Sequence, residues 1–167
     1  MHSSETFETV GNVAVPPGRL IAIDLGAKRV GVAVCDELQM TATPLERIER
    51  RSWKDLLRRV SAIIESYDAR GLVIGLPLSL DGTESHAAQE AKRIAENFRK
   101  SLNVPIFLQD ERLTTFAAES ELKSRGVKAS EVEKRIDSES AAIILRDFIA
   151  EHAPAEGVTD LECGDKP

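Results

Sequence analysis

Residues 20–35 read LIAIDLGAKRVGVAVC, and this stretch decides the fold. Two apolar runs, 20–25 and 30–35, flank a short polar segment that contains Lys28 and Arg29. Short apolar runs bounded by glycine and charged residues are typical of buried strands. The stretch therefore predicts two neighbouring strands joined by a tight turn.

The rest of the chain extends this pair of strands into a layered α/β fold. Hydrophobic periodicity predicts a third strand within 39–48, a helix from Ser52, a strand at 71–75, a helix near 87–102, a strand at 104–108, a helix from Thr114 or Thr115 to about Lys123, and a last helix from Ser130. The fold class is α/β: a mixed five-stranded sheet in which a three-stranded antiparallel meander adjoins parallel strands, with helices on both faces.

Both ends of the chain differ in composition from this core. Residues 1–18 are polar and show no periodicity, and residues 152–167 are acidic and contain proline and glycine. Such segments bury too little apolar surface to offset the entropy of ordering. We predict a disordered N-terminal extension at 1–18, one folded domain at 19–151 and a disordered acidic tail at 152–167.

Composition limits the classes of function. The 167 residues carry 28 Asp and Glu against 22 Lys and Arg, for a net charge of −6, and include two cysteines. No apolar run approaches the ~20 residues of a membrane span, and two cysteines support neither a disulfide framework nor a clustered zinc site. We expect a cytoplasmic protein.

A basic cluster lies within this acidic chain. Residues 47–59 hold six arginines and lysines against two acidic residues, so the acidic total does not exclude a polyanionic partner. Arg50 and Arg51 are the candidates for nucleic-acid binding in this cluster. The alternative interpretation is a solvated helix face.

Three acidic residues occupy positions that favour chemistry. Asp24 closes an apolar strand, where burial of an ionised carboxylate costs several kcal/mol unless it is compensated. Glu111 follows the carboxyl end of the strand at 104–108, where open α/β sheets bind ligands. Asp137 shares a helix face with apolar residues, which turns its carboxylate toward the sheet.

Each of these acids also has a structural interpretation. Asp24 can accept hydrogen bonds from the amides of the following turn, and Glu111 can pair with Arg112 on the surface. Asp137 can cap the start of a helix, a role worth about 1 kcal/mol. Asp110 competes with Glu111, because one sequence does not separate two adjacent acids that point in opposite directions.

A cluster of carboxylates without His or Cys suits Mg²⁺ or Mn²⁺, whereas Zn²⁺ prefers imidazole or thiolate ligands. Two such ions can activate a water and stabilise the leaving oxygen of a phosphodiester. The pattern predicts metal-dependent hydrolysis of nucleic acid, with Asp24, Glu111 and Asp137 as catalytic metal ligands. Their sequence neighbours Lys28, Arg29 and Arg112 can hold phosphates.

Four stretches carry a resemblance to a known family. They read IDLGAKRVGVA (23–33), GLPL with DGT (75–78 and 81–83), DERLTT (110–115) and DSESAA (137–142). Together and in this order they resemble the YqgF/RuvX family of bacterial proteins, which belongs to the ribonuclease H-like superfamily and is related to the RuvC resolvases. The resemblance spans about residues 20–150.

The resemblance implies a ribonuclease H-like fold and a divalent-metal nuclease whose acidic positions correspond to Asp24, Glu111 and Asp137. It implies processing of the 5′ end of precursor 16S rRNA, with cleavage of Holliday junctions as the alternative; nothing in the sequence separates these substrates. RuvC-type resolvases have four acids, and Asp110 is the candidate for the fourth.

Two hypotheses of other classes remain open. One is a nucleotide-binding protein of the actin and sugar-kinase type, which would need a second lobe. The other is an assembly factor that binds ribosomal RNA without cutting it. A resolvase is expected to act as a homodimer, whereas an RNA-end nuclease can act as a monomer.

Overall fold

The computed structural model describes residues 14–79, 81, 83–111 and 120–152. The elements in chain order are β1 (Leu20–Leu25), β2 (Arg29–Cys35), β3 (Ala42–Pro44), β4 (Ile48–Glu49), α1 (Trp53–Ser66), β5 (Gly71–Leu76), α2 (His86–Ser101), β6 (Ile106–Asp110) and α3 (Ala129–His152). Residues 120–124 are also helical. Within the described ranges, no helix is long and apolar enough to cross a membrane.

The strands form one mixed sheet in the order β3-β2-β1-β5-β6, with β4 also paired to β2. Strands β1, β2 and β3 run antiparallel, whereas β1, β5 and β6 are parallel. The predicted mixed sheet is confirmed. It has six strands rather than five, because the predicted third strand is interrupted: β3 ends at Pro44, the Leu45 N–H donates to the Val32 carbonyl at 2.8 Å, and pairing resumes at Ile48.

Alternating side chains of the sheet build two cores. On one face, Ile21, Ile23 and their neighbours pack against α1 and α2; on the other, Leu20, Ala22 and Val73 pack against α3. The period of two along each strand causes this division. Helices therefore cover both faces, as predicted.

The helix ends agree with the sequence signals in part. The Ser52 hydroxyl accepts a hydrogen bond from the Asp55 N–H at 3.1 Å, which confirms the predicted start of α1. Gly126, with φ of +77°, follows the helical residues 120–124 and ends that helix as predicted. Its predicted start at Thr114 or Thr115 lies outside the described residues.

The start of α3 differs from the prediction by two residues. The helix begins at Ala129, so Ser130 lies in its first turn rather than at the cap. The Lys128 carbonyl accepts hydrogen bonds from the N–H groups of Glu131 and Val132, each at 2.9 Å. Backbone bonds to Lys128 thus begin the helix two positions before the capping-box spacing indicates.

The described end of the N-terminal segment lies against the domain. Val15 packs beside the core on the α3 face, and Gln39 Nε2 donates to the carbonyls of Pro16 and Gly18 at 2.8 and 2.9 Å. The rest of the predicted extension and all but the first residue of the predicted tail lie outside the described residues. The domain boundaries stay a prediction.

Candidate active site

One face of the sheet carries the candidate site. Along β1, the residues that share the α3 face are Leu20 and Ala22, and Asp24 continues this alternation. The antiparallel register sets Asp24 opposite Gly31 of β2. On the other side of β1 lies β5, whose Gly75 pairs with Gln109 of β6. The sheet therefore brings two acids and two glycines to its α3 face.

The carboxyl groups of Asp24 and Glu111 are hydrogen-bonded to each other. They come from β1 and from the end of β6, so the middle strand β5 lies between their backbones. Gly75 leaves the space for this contact, because a Cβ there would lie 2.5 Å from Glu111 Oε2 and 2.6 Å from Ile144 Cδ1. A larger residue at 75 would occupy the place of the Glu111 carboxyl group.

Each carboxyl group of this pair raises or lowers the pKa of the other. Burial is the largest effect on Glu111 and, with the charge of Asp24, the hydrogen bond to Asp24 and the charge of Asp110, raises the pKa of Glu111 to about 9. Burial also raises the pKa of Asp24, the hydrogen bond from Glu111 lowers it, and the charge of Asp137 raises it. At neutral pH, protonated Glu111 donates to the Asp24 carboxylate.

Asp137 approaches the pair from α3. A Cβ on Gly31 would lie 1.8 Å from the Asp137 carbonyl oxygen, so the helix backbone rests directly on this glycine. The Val32 N–H donates to Ser138 Oγ at 3.3 Å and fixes the same turn of α3. Because Asp137 lies eight residues into the helix, the interpretation of this residue as an N-cap is wrong.

Two arginines face the Asp137 carboxylate. Asp137 Oδ2 lies 3.7 Å from Arg29 Nε and 3.7 Å from Arg47 Nη1. These distances are too long for hydrogen bonds, and Asp137 Oδ2 is buried without a hydrogen-bond partner among the described residues. The two guanidinium charges compensate for the burial of this oxygen, which has no short hydrogen bond within the described residues.

The three acids therefore lie on one face of the sheet, but their side chains do not form a complete metal-binding site. Within residues 14–79, 81, 83–111 and 120–152, no three His, Cys, Asp or Glu side chains are arranged to hold a metal ion. The donor set nonetheless fits a hard divalent cation. A cation can replace the proton between Asp24 and Glu111, and Asp137 Oδ2 offers a further oxygen.

Asp110 is placed differently from Glu111. It pairs with Leu76 in the ladder between β5 and β6, and Ile106 and Leu108 of the same strand contribute to the α1 and α2 face. Alternation therefore turns Asp110 to that face, away from Asp24. Its participation as a metal ligand stays a prediction that the strand geometry does not favour.

The predicted phosphate-binding residues divide into two groups. Lys28 and Arg51 are exposed and make no ion pair with the described part of the chain. Arg29 faces Asp137, and Arg50 is engaged twice, because it donates to the Gly26 carbonyl at 2.9 Å and pairs with Glu90. Arg112 lies outside the described residues.

Three contributors escaped the sequence analysis. Gly75 ends the strand predicted at 71–75 and receives no further role from the pattern, although a glycine within an apolar strand often marks a close approach. Gly31 carries the same signal, since it interrupts a run of valines and alanines. Arg47 was seen only as one member of the basic cluster, and no sequence signal pairs it with Asp137.

Comparison with known proteins gives a consistent result. The profile of the family RuvX, described as "Holliday junction resolvase", matches residues 18–151. A protein of Anaeromyxobacter sp. (strain K) named "Putative pre-16S rRNA nuclease" is 39% identical over 136 residues, and the match covers 81% of this chain and 99% of that protein. A protein of the same name from Rickettsia bellii (strain OSU 85-389) is 40% identical over 131 residues, and the match covers 78% of this chain and 85% of that protein.

Solved structures share the fold at low sequence identity. The structure of T. thermophilus RuvC in complex with a Holliday junction substrate is 15% identical, with a TM-score of 0.52, and the match covers 80% of this chain and 95% of RuvC. The yeast mitochondrial Holliday junction resolvase Ydc2 is 13% identical, with a TM-score of 0.51 and coverage of 87% and 83%. The predicted ribonuclease H-like fold is confirmed.

Proposed function

Since the chain belongs to the RuvX family and is a nuclease of the YqgF/RuvX type, we propose that its substrate is precursor 16S rRNA, which it cuts at the 5′ end. The family predicted from the sequence motifs is confirmed, as is its class, a hydrolase of phosphodiester bonds. The names of the curated relatives support the choice of RNA. For this substrate we infer a cytoplasmic location.

The contact between the carboxyl groups of Asp24 and Glu111 is the observation that carries the catalytic part of the proposal. Two partly buried carboxyl groups in contact, one with its pKa raised to about 9, form a site that gains from a cation. A structural ion pair would instead set a basic residue beside one of them. The pair and Asp137 also come from three separate elements, as expected of a built site.

Nucleases of the RuvC-like class depend on divalent metal ions, and we propose Mg²⁺ or Mn²⁺ here. Asp24, Glu111 and Asp137 would hold the ion or a pair of ions. A bound ion would supply an activated water and stabilise the charge on the leaving oxygen. The exposed ammonium of Lys28, four residues after Asp24, can hold a substrate phosphate beside the site.

Holliday junction cleavage is the second candidate, because the matching family profile carries that description. The phosphodiester chemistry is the same, and the difference lies in how the substrate is presented. Symmetric cleavage of a junction requires two active sites, so this function predicts a homodimer, whereas cleavage of an RNA end needs one site and allows a monomer.

The test incubates wild-type protein and Asp24→Asn with a precursor 16S fragment, a synthetic four-way junction and ATP, each with Mg²⁺ or Mn²⁺. The proposal predicts cleavage of the RNA and a loss of at least about 10³-fold in rate for Asp24→Asn. Asp68→Asn is the matched control, because Asp68 is exposed, pairs with Arg70 and lies at the opposite end of the sheet.

Each other outcome identifies a different function. Exclusive cleavage of the junction would replace the RNA substrate by DNA. ATP turnover without cleavage would support the nucleotide-binding hypothesis, and salt-sensitive RNA binding without cleavage would support an assembly factor. Full activity of Asp24→Asn would remove the proposed site from the mechanism.

A further inference from the structure

A cavity of about 540 Å³ opens beside Asp137. Its walls come from the segment 44–47, from β4, from α1 and from α3. The charged and polar side chains that line it are Glu46, Arg47, Glu49, Arg59, Arg135 and Ser138. Three arginines from three parts of the chain thus surround one space.

One of these arginines has a buried N–H group without a hydrogen bond. Arg47 Nη1 is buried and makes no hydrogen bond within the described residues. The carboxylates nearest to Arg47 lie 3.6 Å away in Glu49 and 3.7 Å away in Asp137, beyond hydrogen-bond range. Arg59 Nε lies 3.1 Å from Asp55 Oδ2 and is paired with it. Arg47 thus keeps a buried N–H group whose carboxylate contacts within the described residues are all long.

The arginines that line the cavity remain accessible to a ligand. Glu46 and Glu49 are exposed, so water solvates their carboxylates. The side chains of Arg47, Arg59 and Arg135 are 24%, 38% and 46% exposed, so each keeps surface that a ligand can contact. Arg135 contacts Glu139 Oε1 only at 3.7 Å. The cavity therefore offers positive charge and accessible guanidinium groups beside the candidate active site.

The position of the cavity connects it to the candidate active site. Arg47 lines the cavity and also faces Asp137, and Ser138, the next residue of α3, lines it directly. A ligand bound to Arg47 would thus lie next to Asp137, one of the three candidate metal ligands. A nucleic-acid strand that crosses the active site would place a backbone phosphate, which is an anion, at this position.

We propose that this cavity is a phosphate-binding subsite for the nucleic-acid substrate, with Arg47 as its main ligand and Arg59 and Arg135 as flanking charges. The inference rests on the proposed nuclease function and adds a contact outside the acidic site. A guanidinium suits a phosphodiester because its planar N–H groups pair with two phosphate oxygens at once. The cavity is wide enough to admit such a group with its flanking sugars.

The experiment measures binding of fluorescein-labelled RNA hairpins of two unrelated sequences in EDTA, so that no divalent ion is needed. Arg47→Gln should weaken binding about tenfold for both hairpins. It should also reduce the slope of log affinity against log salt by about 0.7–0.9, the loss of one phosphate contact. Arg47→Lys keeps the charge and should restore the slope while recovering only part of the affinity.

Arg70→Gln is the matched control, because Arg70 is exposed, pairs with Asp68 and precedes β5 at the far end of the sheet. It should bind as the wild type does. Wild-type affinity and salt slope in Arg47→Gln, with RNA cleavage intact, would overturn the subsite and leave the nuclease function standing. A wild-type protein that cleaves no nucleic acid would overturn the function, and the subsite with it.

Discussion

At the scale of single residues, Gly75 decides whether Asp24 and Glu111 can meet. We predict that Gly75→Ala reduces cleavage at least tenfold while destabilising the fold by less than about 2 kcal/mol. The added methyl group would meet the ends of two flexible side chains, Glu111 and Ile144, which can move aside. Moving Glu111 removes it from Asp24. Cleavage rates and thermal unfolding of the same sample check this.

Gly126→Ala serves as the matched control for that variant. A Cβ at Gly126 meets nothing within 4 Å, but the φ of +77° strains any residue with a side chain. It should lower stability by about 1 kcal/mol and leave cleavage unchanged. Unchanged cleavage in Gly75→Ala would show that the two carboxyl groups need not touch for activity.

The raised pKa of Glu111 has a consequence for stability in the absence of metal. Between pH 4.5, the ordinary value, and about 9, the folded protein keeps a proton that the unfolded chain has lost. Stability therefore falls as pH rises through this window. We predict that Glu111→Gln, which keeps a donor to Asp24, is about 1–2 kcal/mol more stable than the wild type at pH 8, or roughly 2–8 °C in Tm.

Thermal unfolding in EDTA at pH 5 and pH 8 tests this sign. The advantage of Glu111→Gln should be small at pH 5 and larger at pH 8. Glu37→Gln is the control, because Glu37 is exposed on the surface and pairs with Arg19, far from Asp24 and Glu111. If Glu111→Gln were more stable than the wild type by the same amount at both pH values, the raised pKa of Glu111 in the folded protein would be wrong.

The sequence predicts the type and location of the acids better than their contacts. Asp24 lies near the end of one apolar strand and Glu111 follows another, so their placement at one edge of the sheet follows from the pattern. Their hydrogen bond depends on strand order and on the space at Gly75, which periodicity does not encode. The contact of Arg47 with Asp137 joins a loop to a helix ninety positions later in the chain. Such tertiary contacts leave no local signal.

At the scale of elements, the docking of α3 on β2 depends on Gly31. We predict that Gly31→Ala destabilises the protein by about 3 kcal/mol or more. The added Cβ would lie 1.8 Å from the Asp137 carbonyl oxygen and 2.9 Å from the Ser138 nitrogen, which are backbone atoms. The whole helix would have to move to make room at Gly31, whereas at Gly75 only two side chains would have to move. Denaturant unfolding measures the difference.

The two glycine variants together form a control for each other. Gly75→Ala should lose activity more than stability, and Gly31→Ala should lose both. A Gly31→Ala protein with the stability of the wild type would mean that α3 can shift without cost, and that the position of Asp137 is not set by this contact.

Element boundaries show the same limit of sequence reasoning. The start of α1 at Ser52 was predictable because a single side chain caps it. The division of the third strand was not, because Pro44 indicates an edge but does not tell where pairing resumes. Helix α3 starts at Ala129, where backbone N–H groups donate to the Lys128 carbonyl. Backbone bonds of this kind can form with almost any side chain, so the sequence does not predict where they begin.

At the scale of the whole molecule, metal binding should be linked to folding. Because Asp24, Glu111 and Asp137 converge only in the folded chain, Mn²⁺ at about 100 times its Kd should add about 2.7 kcal/mol to the free energy of unfolding. That corresponds to a rise of roughly 5–11 °C in Tm. Thermal scans with and without Mn²⁺ at fixed pH measure it.

Asp24→Asn should lose most of this stabilisation, and Asp68→Asn should keep it. Release of a proton on Mn²⁺ addition, recorded in weakly buffered solution, gives an independent signal, because the ion displaces the proton of Glu111. A rise in Tm that survives Asp24→Asn would place the ion elsewhere in the protein.

The interrupted margin of the sheet protects the folded protein from self-assembly. Its outermost paired segments are three and two residues long, and Pro44 offers no N–H to a neighbour. A foreign extended peptide finds too few successive backbone groups there to continue the ladder. Extension of the sheet by a strand of another molecule is therefore disfavoured on this side by the backbone itself.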